Sequence, residues 1–350
     1  MTSLWSMADF DGHEDVHFFS DAQSGLRAII AVHSTYRGPA AGGVRYWHYA
    51  DDAAALKDAL RLSRGMSYKN AMADLPMGGG KGVMLAPEAG APKTPEILAA
   101  FGRAIGTLGG RYVTAEDVGM SEGDMLAIGS ETRHVSGLPV ASGAAGGDPG
   151  PYTAQGVFLG IKAAIARALH RENVRGVHVA IQGVGSVGGG VARLLAAEGA
   201  QLTLADVDDA KAASFAAELG ATHVSASEIL AVKADVVSPN ALGAILDEAS
   251  IAALNVPIVA GGANNQLATS EDARRLHARG ILYAPDYVIN AGGIINVALE
   301  YLGAGGRSAV MERIAGIPTR LTRIWAESEA TGAPAGDVAD VMARELIGRA

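Results

Sequence analysis

The chain has 350 residues, a formal net charge of −9 and no cysteine. The length favours two domains, and the acidic balance without a dense run of lysine or arginine argues against a nucleic-acid-binding protein. The lack of cysteine excludes disulfides, thiol nucleophiles and cysteine metal sites, and it is typical of a reducing, cytoplasmic setting. We expect neither a signal peptide nor a membrane-spanning helix, because the N-terminus has no basic segment before an apolar run and no apolar stretch reaches roughly 18 residues.

The first part of the chain, 1–142, predicts an α/β domain. Apolar patterns indicate strands at 26–33, 82–86 and 111–115, and a helix from 52 to about 69. Two further helices are indicated by their first residues. Thr94 stands before Pro95, as an N-cap does, and Ser121 stands three positions before Asp124, as in a weak capping box.

Three charged residues of this first part are candidates for chemistry. Lys69 lies at the end of a helix in GMSYKNA, Lys81 follows three glycines in LPMGGGKG, and Asp117 follows a strand in TAEDVG. Taken singly, each lysine could be a solvated surface residue, and Asp117 could be a helix cap. Lys81 stands between a glycine-rich turn and an apolar strand, so we expect it to be partly desolvated, with a lowered pKa.

The glycines before Lys81, Gly78–Gly80, are predicted to form a turn or loop. They do not make a P-loop, because position 75 is Leu and position 82 is Gly, where that motif needs Gly and then Ser or Thr. Three glycines in a row indicate instead that backbone or substrate comes very close at this place.

A Gly- and Pro-rich segment, Ser142–Tyr152, is predicted to end the first domain and to act as a hinge. A helix over 153–169 follows, and apolar strands then alternate with helices through HVAIQ, LTLAD, ADVVSPN, PIVAGGAN and ILYAP. This alternation predicts a mostly parallel sheet that is covered on both faces. Two helices, at about 308–329 and 336–349, complete the chain.

The predicted fold class is therefore α/β, with two domains and a cleft between them. An N-terminal substrate-binding and catalytic domain would span 1–142, and a Rossmann-type dinucleotide-binding domain would span 143–330. The last helix, about 330–350, could pack back on the first domain.

The dinucleotide prediction depends on Gly183, Gly185 and Gly188, which have G-x-G-x-x-G spacing between an apolar strand and a helix. The first glycine allows a tight turn, the second lets a pyrophosphate approach, and the third allows close helix–strand packing. At the helix N-terminus, Ser186–Val187 would offer free N–H groups to the phosphates. Asp206, after the next strand, would accept the ribose hydroxyls and repel a 2′-phosphate, which favours NAD over NADP. The alternative is an ordinary glycine-rich turn.

Eight motifs, in this order, resemble the glutamate/leucine/phenylalanine/valine dehydrogenase family, in its shorter leucine- and phenylalanine-dehydrogenase branch. They are GPAAGGVR, GMSYKNA, LPMGGGKG, TAEDVG, DPGPYTAQGV, GVGSVG, GGANNQL and APDYVINAGGIINV. The resemblance implies reversible oxidative deamination of an L-amino acid to a 2-oxo acid and ammonia, with NAD(P) and without a metal. It also implies a homo-oligomer.

The resemblance further implies roles for individual residues. Lys81 would activate the water that attacks the imine, Asp117 would carry protons to and from the amino nitrogen, and Lys69 would bind the substrate carboxylate. Burial and a second nearby cation would lower the pKa of Lys81 towards neutrality, as a general base requires. A cation also suits a carboxylate substrate.

By the same resemblance, Thr153 and Asn264 would hold the nicotinamide side, with Asn264 also near the substrate. The backbone of Gly42 and Gly43 would lie against the substrate. The positions around the substrate side chain are all apolar: Ala41, Ala115, Ile294 and Val297.

This pocket argues against glutamate, because glutamate-specific members carry a lysine at the position of Ala41 and a buried carboxylate without a partner is costly. TAEDVG and AGGIINV look like leucine dehydrogenases, which favours leucine and other branched-chain substrates. Ala41 departs from them, since they usually have Leu there. Its small size opens the pocket towards phenylalanine or tryptophan, whereas Ile294 could refill the space.

Two other classes of protein compete with this interpretation. A 2-hydroxy-acid dehydrogenase would be expected to use a His–carboxylate pair and an Arg, and the histidines here lie in no comparable motif. A non-catalytic NAD-binding regulator would be expected to lose the charged trio Lys69, Lys81 and Asp117, and all three are present.

Overall fold

A computed structural model describes residues 3–139, 143–241 and 243–349. The backbone divides into two units. Unit 1 comprises Met1–Asp148, Ile294–Ala309 and Ala343–Ala350, and unit 2 comprises Pro149–Gly293 and Val310–Met342. Ser142, where the predicted hinge begins, lies outside the described residues.

Unit 1 is built on a six-stranded sheet with the order β1-β2-β5-β3-β6, and β4 also pairs with β5. Its strands are β1 (Asp15–Asp21), β2 (Leu26–Ser34), β3 (Ala40–Ala41), β4 (Val44–Trp47), β5 (Gly78–Leu85) and β6 (Tyr112–Val113). Its helices are α1 (Asp52–Met72), α2 (Pro95–Thr107) and α3 (Glu122–Gly129). Strand β2 runs antiparallel to both β1 and β5, whereas β3 and β4 run parallel to β5.

Helices cover both faces of this sheet. One face packs on α1 through a cluster that contains Ile29, Ala31 and Leu60. The other packs on α2 and α3 through a cluster that contains Ile30 and Phe101. Consecutive residues of β2 thus point to opposite layers, as the period of two in a strand requires.

The predicted helix starts of unit 1 are confirmed. The Thr94 side chain accepts a hydrogen bond from the Ile97 N–H, with Pro95 in the first turn of α2. Ser121 and Asp124 form a full capping box at α3. These caps accept hydrogen bonds from N–H groups that have no partner within the helix. A polar residue just before a helix is therefore a recognisable sign of where the helix begins.

The prediction of a turn at Gly78–Gly80 is wrong, because these glycines are the first residues of strand β5. A Cβ on Gly78 would lie 1.9 Å from the Ser34 carbonyl oxygen, and one on Gly79 would lie 2.0 Å from the Ser67 N atom. The glycines therefore let β2 and α1 approach β5 closely. The predicted close approach of backbone does occur, but inside a sheet.

Unit 2 holds a parallel six-stranded sheet with the order β12-β11-β10-β7-β8-β9. Its strands are β7 (His178–Gln182), β8 (Gln201–Ala205), β9 (Thr222–His223), β10 (Val236–Pro239), β11 (Ile258–Val259) and β12 (Leu282–Tyr283). When the six strands are numbered in chain order and read from β9 to β12, the order is 3-2-1-4-5-6, the arrangement of the dinucleotide-binding Rossmann fold.

The helices that accompany this sheet are α4 (Gly150–Leu169), α5 (Ser186–Ala197), α6 (Asp209–Leu219), α7 (Glu248–Ala253), α8 (Ser270–Ala278), α9 (Asp286–Ile289) and α12 (Ile317–Thr331). Three more helices, α10 (Gly292–Leu302), α11 (Arg307–Ile314) and α13 (Ala335–Leu346), continue across the division of the chain. Helix α4 begins three residues before the predicted start, and the predicted helix at 308–329 is two helices. Helix α11 ends at Ile314 and α12 begins at Ile317, because Pro318 has no N–H group to donate to the carbonyl four residues earlier and is accepted only in the first turn of a helix.

The division of the chain differs from the predicted boundaries in its C-terminal part. Residues 294–309 group with unit 1, and residues 331–342 group with unit 2. Side-chain contacts explain the first difference, because the Glu300 carboxylate accepts hydrogen bonds from the Gly137 and Leu138 N–H groups at 2.8 and 3.0 Å. Asn296 likewise binds both the N–H and the carbonyl of Gly146.

Within the described ranges, no helix is long and apolar enough to cross a membrane, and no group of three or more His, Cys, Asp or Glu residues is arranged to hold a metal ion.

Candidate active site

Lys81 and Asp117 form a close ion pair in unit 1. The Lys81 Nζ atom donates a hydrogen bond to Asp117 Oδ2 at 2.7 Å. Lys81 is only 5% exposed, although it carries a charged side chain, because it lies in the middle of β5 between two neighbouring strands. Asp117 is half-buried in the segment after β6. The structure therefore brings together two of the three charged residues that the sequence singled out.

Backbone glycines make room for this pair. A Cβ on Gly43 would lie 2.7 Å from the Glu116 carbonyl oxygen and 2.9 Å from the Asp117 Cβ atom. A Cβ on Gly42 would lie 1.8 Å from the Gly80 carbonyl oxygen. Any side chain at either position would push the Asp117 segment or strand β5 away, so both glycines serve the internal packing of the site.

Two residues beside this pair, Arg45 and Asp58, were not among the candidates from the sequence. Arg45 Nε donates to Asp117 Oδ2 at 3.0 Å, so the same oxygen accepts hydrogen bonds from Arg45 and Lys81. Arg45 Nη1 donates to Asp58 Oδ2 at 2.8 Å. The motif GGVR contained the signal, since Arg45 interrupts an otherwise uncharged short strand.

Strand geometry explains why these groups meet. Arg45 of β4 is paired in parallel register with Val83 of β5, and Lys81 stands two positions before Val83. Paired residues and residues two apart point to the same face of a sheet, which here is the face covered by α1. Asp58 lies on α1 and accepts further hydrogen bonds from Tyr49 and Arg61.

The charges of this cluster act on one another strongly. Burial lowers the pKa of Lys81; the Asp117 carboxylate opposes this effect, and the Arg45 guanidinium adds to it. Burial alone would raise the pKa of Asp117, but Lys81 and Arg45 outweigh burial and hold this pKa below its usual range. Arg45 is thus a second cation that acts on Lys81, and the predicted lowering of the pKa of Lys81 follows from both causes.

Lys69 lies on the last turn of α1 and is half-buried. Its neighbour Asn70 is fully buried and donates hydrogen bonds to the carbonyl oxygens of Ala41 and Gly78, at 3.3 and 2.5 Å. This turn of α1 is therefore fastened to β3 and β5, the strands that precede Gly42 and contain Lys81.

The four positions predicted around a substrate side chain all lie in unit 1. Ala41 ends β3 and is buried, and Ala115 is half-buried two residues before Asp117. Ile294 and Val297 lie on α10, with Val297 buried and Ile294 half-buried.

The glycine motif of unit 2 forms the turn between β7 and α5. Gly183 has a φ of +86°, a backbone conformation that favours glycine, and its N–H donates to the Ala205 carbonyl. A Cβ on Gly188 would lie 1.9 Å from the Gly183 carbonyl oxygen, so this glycine lets α5 pack against the turn. A Cβ on Gly185, by contrast, would meet no heavy atom of the described chain within 4 Å.

Helix α5 begins at Ser186 with Gly185 as its N-cap, and in the described structure no side chain caps it. The N–H groups of Ser186 and Val187 therefore belong to a first turn that has no side-chain acceptor at its cap. Asp206 follows β8 and accepts hydrogen bonds from the Val184 N–H at 2.7 Å and the Asp208 N–H at 3.1 Å. Its carboxylate is thus held beside the turn.

Thr153 and Asn264 also lie in unit 2. Thr153 Oγ1 donates to the Pro149 carbonyl oxygen at 3.0 Å, on the first turn of α4. Asn264 is exposed, and its Oδ1 atom accepts a hydrogen bond from Nδ2 of the buried Asn290 at 2.8 Å. This bond orients the Asn264 amide so that its nitrogen, a donor, is available to other groups.

Two family models match the chain. One describes the dimerisation domain of Glu/Leu/Phe/Val dehydrogenases over residues 13–134, and the other describes glutamate/leucine/phenylalanine/valine dehydrogenase over residues 204–323. The leucine dehydrogenase of Bacillus subtilis (strain 168) is 44% identical over 337 residues, which cover 96% of this chain and 92% of that enzyme. The chain belongs to the glutamate/leucine/phenylalanine/valine dehydrogenase family. Membership confirms the predicted family and makes the protein an amino-acid dehydrogenase, an oxidoreductase.

Other members of the family differ in substrate. A phenylalanine dehydrogenase from Bacillus thermotolerans is 40% identical over 340 residues, covering 96% of this chain and 88% of that enzyme. The crystal structure of L-tryptophan dehydrogenase from Nostoc punctiforme superimposes with a TM-score of 0.85 at 40% identity and covers 96% of both chains. The predicted α/β, two-domain class is thereby confirmed.

Proposed function

We propose that the protein catalyses the NAD-dependent, reversible oxidative deamination of a hydrophobic L-amino acid to its 2-oxo acid and ammonia, with leucine and other branched-chain substrates favoured. The observation that carries this proposal is the buried Lys81–Asp117 pair. Burial of a lysine beside a carboxylate provides two groups that can exchange protons within hydrogen-bond distance of each other, which deamination requires.

Lys81 is proposed as the general base. Because burial lowers its pKa, more of Lys81 is neutral at a given pH than of an exposed lysine, and the neutral amine can take a proton from water. The water oxygen then forms a bond to the imine carbon of the oxidised substrate. Asp117 is proposed to carry protons to and from the nitrogen, so that the carbon–nitrogen bond breaks and ammonia leaves.

Lys69 is proposed to bind the substrate carboxylate as a point charge. The backbone of Gly42 and Gly43 would lie against the same substrate. Asn264 is oriented by Asn290 to donate a hydrogen bond, which suits a substrate carboxylate or a carboxamide oxygen. Ala41, Ala115, Ile294 and Val297 are proposed to surround the apolar side chain.

The turn after β7 fits a dinucleotide. The open space beside Gly185 is a place that a Cβ would fill, and the first turn of α5 has no side-chain cap in the described structure, so Gly183, Gly185, Ser186, Val187 and Gly188 are proposed to hold the pyrophosphate. Asp206 would accept the ribose hydroxyls, and Thr153 and Asn264 would hold the nicotinamide side. When bound, NAD accepts the hydride that leaves the substrate Cα. The repulsion of a 2′-phosphate by Asp206 is the reason for proposing NAD over NADP.

The two units are proposed to divide this work. Residues 1–142, together with Ile294 and Val297 of unit 1, would bind substrate and carry the catalytic groups, and the remainder of residues 143–330 would bind NAD. We also propose a homo-oligomer, because the family model over residues 13–134 is described as a dimerisation domain. Light scattering on the purified protein tests this; a monomer at micromolar concentration would contradict it.

An aromatic substrate is the second candidate. Ala41 is small and buried where branched-chain members usually have Leu, and relatives named for phenylalanine and tryptophan are 40% identical to this chain. A pocket difference of one methylene changes discrimination by only about 1–3 kcal/mol, so both substrate types are compatible with the same reaction.

The deciding experiment measures kcat/KM for NADH formation with L-Leu, L-Val, L-Phe, L-Trp and L-Glu at alkaline pH. We expect L-Leu and L-Val to be preferred and L-Glu to be inactive. A preference for L-Phe or L-Trp would establish the aromatic alternative. NAD binding without turnover of any L-amino acid would contradict the proposed function and indicate a regulator.

A further inference from the structure

We infer that Arg45, anchored by Asp58, is a positioning residue that holds the Asp117 carboxylate against Lys81 and sets the pH range in which the pair works. This inference rests on the proposed function of Lys81 and Asp117 and adds two residues that were not among the candidates from the sequence.

One carboxylate oxygen of Asp117 is shared by two donors. Asp117 Oδ2 accepts hydrogen bonds from Lys81 Nζ at 2.7 Å and from Arg45 Nε at 3.0 Å. When Lys81 loses its proton and turns to a substrate, Arg45 can keep the carboxylate in place. The guanidinium fork suits this task because its nitrogens are fixed in one plane.

Arg45 is in turn held from the other side. Its Nη1 atom donates to Asp58 Oδ2 at 2.8 Å, and the same Asp58 oxygen accepts the Tyr49 hydroxyl at 2.8 Å. Arg61 binds the other Asp58 oxygen at 3.1 Å. Arg45 therefore bridges two carboxylates with two different nitrogens. A lysine, with one nitrogen, cannot span them in the same way.

Charged and titratable groups act on this pair from several elements. Lys81 of β5 and Arg45 of β4 bind the Asp117 carboxylate, whose charge also acts on the Tyr112 hydroxyl of β6, and Asp58 acts on Lys81 from α1. The positive charge of Arg45 disfavours protonation of both Lys81 and Asp117, whereas the negative charge of Asp58 favours protonation of Lys81. The two residues thus act on Lys81 in opposite directions.

These opposite effects predict opposite changes in the pH profile of deamination. Arg45→Met removes a positive charge, so Lys81 holds its proton to higher pH and the acid limb of kcat/KM moves upward. At a pH below this limb, we expect kcat/KM to fall roughly tenfold from this effect alone. Asp58→Asn removes a negative charge and should move the limb downward. A merely structural role would not move the two limbs in opposite directions.

A third variant separates charge from position. Arg45→Lys keeps the charge, so its acid limb should stay close to that of the unmodified protein, while its kcat should fall because one ammonium cannot bind both carboxylates. Arg27→Met is the matched control. Arg27 also lies on a strand and pairs with an aspartate of α1, Asp52, but both side chains of that pair are exposed. It should leave kcat and the pH profile unchanged.

A readout without catalysis keeps this test independent of the proposed function. The chain has seven lysines, so labelling with ¹³Cε-lysine gives few signals, and Lys81→Ala identifies the one from Lys81. We expect the titration midpoint of that signal to rise in Arg45→Met, to fall in Asp58→Asn and to stay unchanged in Arg27→Met. Unchanged midpoints in the first two variants would overturn the inference, even if the enzyme deaminates amino acids. Absence of turnover with the expected midpoint shifts would instead contradict only the proposed function.

Discussion

Arg349 donates a hydrogen bond from Nη1 to Nε2 of His33, across 2.7 Å, and so determines the tautomer of this buried histidine. Arginine can only donate, so Nε2 is the acceptor and Nδ1 carries the hydrogen. Nδ1 therefore donates to Ser67 Oγ, which lies 2.7 Å away. The last residues of the chain are in this way joined to α1 through a neutral imidazole.

This relationship predicts a stability that depends on pH. Burial, together with the charges of Arg349 and His13, lowers the pKa of His33 to about 3 from its usual 6.5. Below pH 6.5 the unfolded chain binds a proton at His33 that the folded protein does not, so stability falls between about pH 6.5 and 3. The slope from this group is at most about 1.4 kcal/mol per pH unit. Urea unfolding at several pH values measures it. His33→Gln should flatten the profile in this window, and an unaltered slope would contradict the assignment.

Removal of the Lys81 amine should remove nearly all turnover while the fold and NAD binding remain. For Lys81→Ala we expect kcat to fall roughly hundredfold or more, since a positioned general base contributes about that much. Steady-state kinetics and NADH binding by fluorescence provide the two measurements. Lys57→Ala, which alters an exposed lysine of α1, is the control. Near-normal kcat in Lys81→Ala would remove this residue from the mechanism.

Lys69→Ala should act mainly on substrate binding. Loss of a charge-assisted hydrogen bond to a carboxylate costs about 1.5–3 kcal/mol, so we expect KM for the amino acid to rise at least about tenfold with a smaller change in kcat. KM for NAD should remain as in the unmodified protein. An unchanged KM for the amino acid would mean that another group binds the carboxylate.

Two glycines of one turn should respond differently to alanine. Gly188→Ala places a Cβ 1.9 Å from the Gly183 carbonyl oxygen, so we expect a loss of stability of about 1–3 kcal/mol. Gly185→Ala meets no heavy atom of the described chain within 4 Å and should leave stability within about 0.5 kcal/mol. If a pyrophosphate binds there, Gly185→Ala should nevertheless raise KM for NAD strongly. Thermal unfolding and KM measured on both variants decide this, and a normal KM for NAD in Gly185→Ala would place the phosphates elsewhere.

The coenzyme preference depends on Asp206. We expect kcat/KM to be much higher with NAD than with NADP, because the carboxylate repels a 2′-phosphate. Asp206→Ser should bring kcat/KM with NADP closer to kcat/KM with NAD, because the charge that repels the 2′-phosphate is lost. Equal efficiency with both coenzymes in the unmodified protein would refute this role.

Features with local causes were predictable from the sequence. The turn at Gly183, the capping box of Ser121 and Asp124 and the N-cap Thr94 each depend on residues a few positions apart. The strands HVAIQ and LTLAD were recognisable because a parallel strand that is buried on both faces is apolar throughout.

Features with distant causes were not predictable in this way. Arg45 meets Asp58 and Asp117 only because β4 pairs with β5 and α1 covers the same face. The attachment of residues 294–309 to unit 1 depends on Glu300 and Asn296, which bind backbone groups more than 140 positions away. No pattern within a short window contains such contacts.

The strand of glycines before Lys81 affects how this enzyme tolerates mutation. Side chains at positions 78, 79, 80 and 82 would collide with Ser34, Ser67 or Tyr112, so substitutions there damage the fold before they touch any reaction. In a saturation screen scored by growth or activity, the whole segment would therefore look as intolerant as Lys81 itself. Only a screen that scores abundance separately from turnover would distinguish the single chemical position from the four architectural ones around it. Directed evolution of this enzyme would do best to leave residues 78–82 unchanged and to vary Ile294 and Val297 of α10 instead.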